Sequence, residues 1–225
     1  MGGYNFHRST ASGNLSPEFI AGLFAPDIMK KWYKIWGLDG AYKKYNMIRT
    51  DKMPEFEEFS ERVQQQEVCG KADGMHYGKS SLPNIMAFWN GLTKKQRENA
   101  FYKGYVWHLL GDALMYKRLD IDAKFLEFKK ANKDKPNFEA LRKAEVEKLH
   151  DDWDKTNVLI RDSYPDVVLP DWVTELGVVK YLTKGTLVYV NWSVLKDTID
   201  YLRQFNPMSD DMENIIETVI KKIQA

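Results

Sequence analysis

The amino-acid sequence predicts an all-α protein, folded as a single-domain bundle of helices over residues 1–225. Apolar residues recur at helical spacing in most of the chain, and capping residues stand at several predicted helix starts. Short turns rich in proline, glycine and aspartate separate these segments. With 44% hydrophobic residues, the chain is long enough to bury one sizeable core.

Charge balance and cysteine content exclude several classes of function. Lys and Arg total 33 against 32 for Asp and Glu, so the net charge of +1 gives no strong signal for nucleic-acid binding. The one cysteine, Cys69, cannot form an internal disulfide. No run of about 18 apolar residues indicates a transmembrane segment. Because the first residues lack the apolar stretch of a signal peptide, we expect a cytoplasmic protein.

The first half of the chain contains four predicted helices. Prolines, capping residues and apolar spacing place them at residues 17–24, 54–63, 83–89 and 94–118. Ser16 caps the first helix, and Pro26 ends or redirects it. A capping box formed by Thr93 and Gln96 opens the last, which is the most apolar helix of the sequence. We therefore expect this helix to be central and buried.

The second half adds further helices and one ambiguous segment. Apolar spacing and a cap at Ser209 predict helices over residues 121–131, 138–162, 195–202 and 209–225. Residues 178–190 are β-prone after Gly185, so a short β-hairpin is an alternative there. The last helix is amphipathic enough to pack on its own domain or on a second copy, which leaves a homo-oligomer open.

Two residues on the central helix carry the chemistry that the sequence indicates most directly. His108 and Asp112 lie four residues apart, and side chains at that spacing project from one face of a helix. Burying an imidazole and a carboxylate in so apolar a helix is costly, and a shared divalent cation removes that cost. The alternative is an Asp–His hydrogen bond that joins two helices.

Local sequence adds two further candidates. His76 lies in a loop between Gly74 and Gly78, where the backbone can bend to direct the ring. Asp27 directly follows a proline, a position where an aspartate more often caps a helix than binds a metal. Aromatic residues that we interpret as core packing, rather than as a surface for a lipid or a nucleobase, lie near these positions in sequence: Tyr77, Trp89, Tyr105 and Trp107.

The order of these residues resembles the zinc-dependent phospholipase C family. That family has an early histidine, an Ala/Pro-Asp turn, a His-aromatic loop and a helix with the pattern His-x-Leu-x-Asp. This sequence has the same order: His7, Ala25-Pro26-Asp27, His76-Tyr77 and His108-Leu109-Leu110-Gly111-Asp112. The match covers residues 7–118, so the resemblance predicts a metal-binding core there and additional helices over 119–225.

The resemblance also implies a ligand set and an activity. Asp27, His76, His108 and Asp112 would hold one zinc ion, and His7 would bind a second ion that Asp112 bridges. Other divalent metals would fit the same ligand types. The implied activity is that of a metal-dependent hydrolase or phosphodiesterase, which acts on a small phosphate ester or a phospholipid. Asp27 would serve as its general base.

The sequence departs from the family beyond Asp112. Secreted members place a histidine for a third metal ion six residues later, whereas this chain has Arg118, which stays protonated and cannot bind a metal. We therefore expect one or two zinc ions rather than three. We also expect Arg118 to bind the substrate by holding a phosphate oxygen.

Two other interpretations stay open. The dipeptide His150-Asp151 resembles the His-Asp pair of the HD phosphohydrolases. By that resemblance, His108 of this chain would be the first ligand and Asp112 would be unused. The second interpretation is a non-catalytic helical protein with a structural metal site, because the four ligands proposed for one zinc ion would close its coordination.

Overall fold

The computed structural model describes residues 3–27, 78–79, 82–83, 85–174 and 179–224. Most of these residues are helical, which confirms the predicted all-α class. The helices are α1 (Tyr4–Thr10), α2 (residues 17–27), α3 (Ile85–Asn90), α4 (Lys94–Glu98), α5 (Ala100–Leu119), α6 (Ile121–Asn132), α7 (Phe138–Ser163), α8 (Asp171–Thr174), α9 (Trp192–Leu202) and α10 (Met212–Gln224). The helix predicted over residues 54–63 and the loop around His76 lie outside the described residues.

β-Structure in the described residues is limited to one short antiparallel ladder. In it, β1 (Gly78–Lys79) pairs with β2 (Leu82–Pro83). A β-hairpin within 178–190 was the alternative for the ambiguous segment, and described residues 179–190 form no strand. That alternative is therefore wrong for those residues.

Two helix boundaries in the first half differ from the prediction. Helix α2 includes Pro26 and Asp27, so it extends three residues beyond the predicted 17–24. The predicted helix over 94–118 is two helices, because Asn99 between them is extended, at φ −79 and ψ 132. Asn99 Oδ1 accepts the N–H of Phe101 at 2.8 Å, so this residue caps the start of α5.

The predicted capping residues Ser16, Thr93 and Ser209 all make hydrogen bonds, although Ser209 lies outside its helix. The capping box is confirmed, because Thr93 Oγ1 accepts from the N–H of Gln96 and the Gln96 side chain accepts from the N–H of Thr93. Helix α10 begins at Met212, later than predicted. Ser209 Oγ instead accepts the N–H of Asp211 at 3.1 Å, in the turn before the helix.

The chain divides into two compact units. The first contains the described residues between 11 and 113 and those of 206–224. Its core is rich in fully buried aromatic side chains: Phe19, Phe24, Phe88, Phe101, Tyr102, Tyr105 and Trp107. Because Trp89 is also buried, the described aromatic residues near the candidate ligands belong to the core. Phe88 and Tyr105 stack there with ring centroids 4.7 Å apart.

The second unit contains residues 3–10 and the described residues between 114 and 205. Helix α1 packs against α7 and α9 in this unit. Buried apolar side chains form its core, among them Phe6, Met115, Leu119, Leu149, Trp153, Ile160, Leu195 and Ile199. The assignment of residues 1–225 to a single domain stays a prediction.

Helix α5 is buried on all sides over most of its length. Every residue from Phe101 to Met115 is buried, which confirms the expectation of a central helix. Lys103 extends its ammonium group to the carbonyl of Met208 and the carboxylate of Asp210, at 3.1 and 3.2 Å. None of the described helices is long and apolar enough to span a membrane.

A buried carboxylate explains why the β-prone segment is not a hairpin. Asp152 on α7 is 0% exposed, and its Oδ2 accepts the N–H groups of three consecutive residues. The distances are 2.7 Å from Val188, 2.6 Å from Tyr189 and 3.1 Å from Val190. These backbone groups therefore have a charged acceptor and need no partner strand.

We expect Asp152→Ala to lower the free energy of unfolding by about 3 kcal/mol or more, since the variant loses three hydrogen bonds to a charged group and each contributes roughly 1.5–3 kcal/mol. Urea denaturation followed by circular dichroism measures the change. Asp151→Ala, which removes an exposed carboxylate from the same helix, is the control and should stay within about 0.5 kcal/mol of the wild type. Equal losses in the two variants would contradict the role assigned to Asp152.

Candidate metal centre

A backbone carbonyl fixes the ring of His108. Nδ1 of His108 lies 2.8 Å from the carbonyl oxygen of Leu23 on α2. A carbonyl oxygen has no hydrogen to donate, so Nδ1 must carry the hydrogen of this bond. Nε2 is the ring nitrogen that faces away from this carbonyl. Metal-binding histidines commonly donate their second ring N–H to a carbonyl in this way.

Nε2 of His108 faces a carboxylate from the next turn of α5. Oδ2 of Asp112 lies 3.4 Å from Nε2, and both side chains are 0% exposed. A charge-assisted N–H···O bond is typically about 2.7–2.9 Å long. Two ligands that bind one tetrahedral zinc ion at about 2.0–2.2 Å lie about 3.4 Å apart. The observed separation therefore matches two ligands of one ion better than it matches a direct hydrogen bond.

Asp27 brings a second carboxylate to act on the same ring. It lies on α2 and is 7% exposed. Burial alone would lower the pKa of His108, but the charges of Asp112 and Asp27 raise it above the ordinary value of 6.5. The two carboxylates thus favour a cation at the ring, either a proton on Nε2 or a metal ion that replaces it.

His7 is a further buried histidine. It lies on α1, and its ring packs edge-on against Phe6 with centroids 5.2 Å apart. Its side chain is 0% exposed. An imidazole is a ligand type that suits zinc and also other divalent transition metals. His7 therefore stays a candidate ligand.

The remaining predicted site residues differ in their surroundings. His76 lies outside the described residues. Arg118 is partly buried near the end of α5, where its Nη1 donates to Thr198 Oγ1 at 3.1 Å. His150 and Asp151, the pair of the HD interpretation, are both exposed on α7.

One partner in the site carried no signal in the sequence. Leu23 acts through its backbone carbonyl, and an apolar residue in a helix gives no indication that its carbonyl will bind a side chain. Asp27 was predicted as a candidate in a turn, whereas the structure places it on helix α2. There it lies four residues after Leu23, so both groups belong to one face of that helix.

Comparisons with protein-family models, with curated proteins and with solved structures gave no match to this chain. The resemblance to the zinc-dependent phospholipases C therefore depends on the motifs in the sequence alone.

We expect protein purified without chelator to contain near-stoichiometric zinc, and His108→Ala or Asp112→Ala to reduce it at least tenfold, because each removes a buried ligand. Inductively coupled plasma mass spectrometry measures the bound metal. His150→Ala is the control and should keep its metal. The HD interpretation predicts the reverse, with metal kept in Asp112→Ala and lost in His150→Ala. A folded wild type without metal would contradict both.

Proposed function

We propose that this protein is a metal-dependent hydrolase of phosphate esters, with a site similar to that of the zinc-dependent phospholipases C. The observation that carries the proposal is the buried pair on α5, in which Nε2 of His108 lies 3.4 Å from Oδ2 of Asp112. The Leu23 carbonyl holds the other ring nitrogen and so keeps Nε2 directed at the carboxylate. Buried ionisable groups of this kind are stable only when they are paired or bind a metal.

The proposed ligands are the residues of the sequence motifs, and the four of them that the structure describes, His7, Asp27, His108 and Asp112, are buried. One or two zinc ions are assigned to His7, Asp27, His76, His108 and Asp112. When bound, such an ion would polarise a phosphate ester and lower the pKa of a water molecule from 15.7 to about 7. His108 and Asp112 form the part of this set that is already arranged for a shared ion.

Asp27 is the proposed general base. Its carboxylate would accept a proton from the water molecule that attacks phosphorus, while the bond from phosphorus to the leaving alcohol breaks. Two observations support this role: the side chain is almost fully buried, and its charge already acts on the ring of His108. Arg118 is proposed to hold a phosphate oxygen of the substrate, a small phosphate ester or a phospholipid.

A structural metal site is the second candidate function. Of the four ligands proposed for it, Asp27, His108 and Asp112 are buried, and His76 lies outside the described residues. Structural zinc ions have four protein ligands and no open position. In that case the metal would stabilise the helices, and the protein would hydrolyse no ester.

We expect Asp27→Asn to lower kcat by about 100-fold or more, since the amide cannot accept the proton. Hydrolysis of bis(p-nitrophenyl) phosphate and of phosphatidylcholine vesicles measures the effect, with enough zinc present to saturate the variant. Asp151→Asn, an exposed carboxylate, is the control and should behave as the wild type. A zinc-loaded wild type without turnover on phosphate esters would favour the structural site, and an unchanged kcat in Asp27→Asn would remove Asp27 as the base.

We expect Arg118→Met to lower kcat/KM at least tenfold, mainly by raising KM, because the guanidinium no longer grips a phosphate oxygen. Steady-state kinetics with the same substrates measures the change. Thr198→Val is the matched control, since it removes the hydrogen-bond partner that Arg118 has in the structure. If both variants lose stability and keep the wild-type KM, Arg118 has a structural role only.

A further inference from the structure

Helices α2 and α5 approach each other at two glycines. A Cβ atom at Gly22 would lie 1.9 Å from the carbonyl oxygen of Phe101, and one at Gly104 would lie 2.1 Å from that of Phe19. Real Cβ atoms essentially never come within 3.0 Å of another heavy atom in this way. Both clashes are with backbone, which cannot rotate aside as a flexible side chain can. Glycine is therefore required at both positions for the helices to cross at this distance.

The glycine contact lies beside the groups that hold His108. Gly104 precedes His108 by four residues and Asp112 by eight, so the three share one face of α5. On α2, Gly22 is followed directly by Leu23, whose carbonyl accepts the His108 N–H. The close crossing therefore brings the Leu23 carbonyl of α2 against the His108 side chain of α5.

We propose that Gly22 and Gly104 are positioning residues for His108 as a metal ligand. The crossing distance sets the position of the Leu23 carbonyl, and the carbonyl fixes hydrogen on Nδ1. Nε2, the ring nitrogen on the side of Asp112, is then the atom that would bind the metal. This inference rests on the metal site of the proposed function, but it does not require that the protein hydrolyse an ester.

Helix propensity alone does not explain a glycine in this helix. Alanine is the better residue in a helix interior, so Gly104→Ala would favour α5 if the helix were isolated. In the folded protein the same methyl group meets the carbonyl oxygen of Phe19 and the backbone nitrogen of Leu23, 2.8 Å away. The helices must then separate, and the Leu23 carbonyl must move away from the ring of His108.

The first test compares zinc affinities at one pH, measured by competition with a chromophoric chelator. We expect Gly104→Ala and Gly22→Ala each to weaken zinc binding at least tenfold. Val219→Ala, a buried change on α10 that is expected to lower stability, is the control and should stay within twofold of the wild type. If the glycine variants are less stable but bind zinc as the wild type does, the glycines only pack the helices and the proposal is wrong.

A second measurement tests the same link without metal. Nitrogen NMR spectra of histidine-labelled protein distinguish hydrogen on Nδ1 from hydrogen on Nε2. We expect a slowly exchanging Nδ1–H on His108 in the wild type, and faster exchange in Gly22→Ala and Gly104→Ala. A wild-type ring without this Nδ1–H would overturn the proposal even if a glycine variant does not fold.

The outcomes separate this inference from the proposed function. A wild type that binds zinc and hydrolyses no ester overturns the hydrolase and leaves the positioning role intact. Tight zinc binding that neither glycine variant weakens overturns the positioning role alone. A folded wild type that binds no zinc overturns both.

Discussion

Two ionisable side chains inside an apolar helix set the main constraint on the first unit. His108 and Asp112 are both 0% exposed, and an uncompensated charge in such a place costs several kcal/mol, on the order of the whole stability of a small domain. Compensation comes in part from α2, through the carbonyl of Leu23 and the carboxylate of Asp27. Helix α2 must therefore keep a fixed position against α5, and the glycine crossing allows the close approach that this requires.

Charge counting shows why a proton is a poor substitute for a divalent ion at this place. With Asp27 and Asp112 ionised and an imidazolium at His108, the three groups sum to one negative charge. With a divalent ion and a neutral imidazole, the same groups sum to zero. Burial favours the arrangement with the smaller net charge, since desolvation penalises charge that stays uncompensated.

The parts of the fold and site that sequence could predict are those whose signals are local. The spacing of His108 and Asp112 places them on one face of any helix, and the Thr93 capping box depends on residues three apart. The sequence failed where a distant group decides the local structure. Residues 188–190 look like a strand because the pattern cannot show that Asp152, far away in sequence, accepts their N–H groups.

The roles of Gly22 and Gly104 could be predicted from the sequence only in part. A glycine inside a predicted helix signals a close backbone approach, so Gly104 could have marked a helix crossing. Nothing local identifies the partner helix, however, and the acceptor for His108 is a main-chain atom that any residue at position 23 would supply. The ligand pair was therefore predictable, whereas the groups that orient it were not.

Ligand chemistry bears on the choice between a structural and a catalytic metal. Structural zinc sites are built largely from cysteine thiolates, whereas hydrolytic sites commonly use histidines and a carboxylate and leave one coordination position for water. Cys69 is the one cysteine of this chain, so a thiolate-rich site cannot form within it. The proposed ligands are histidines and carboxylates, the types that hydrolytic centres commonly use. With His76, His108 and Asp112 as ligands, a tetrahedral ion would keep one open position, so the role of Asp27 decides the function: as a fourth ligand it would close the site, and as a base beside a bound water it would make the site catalytic.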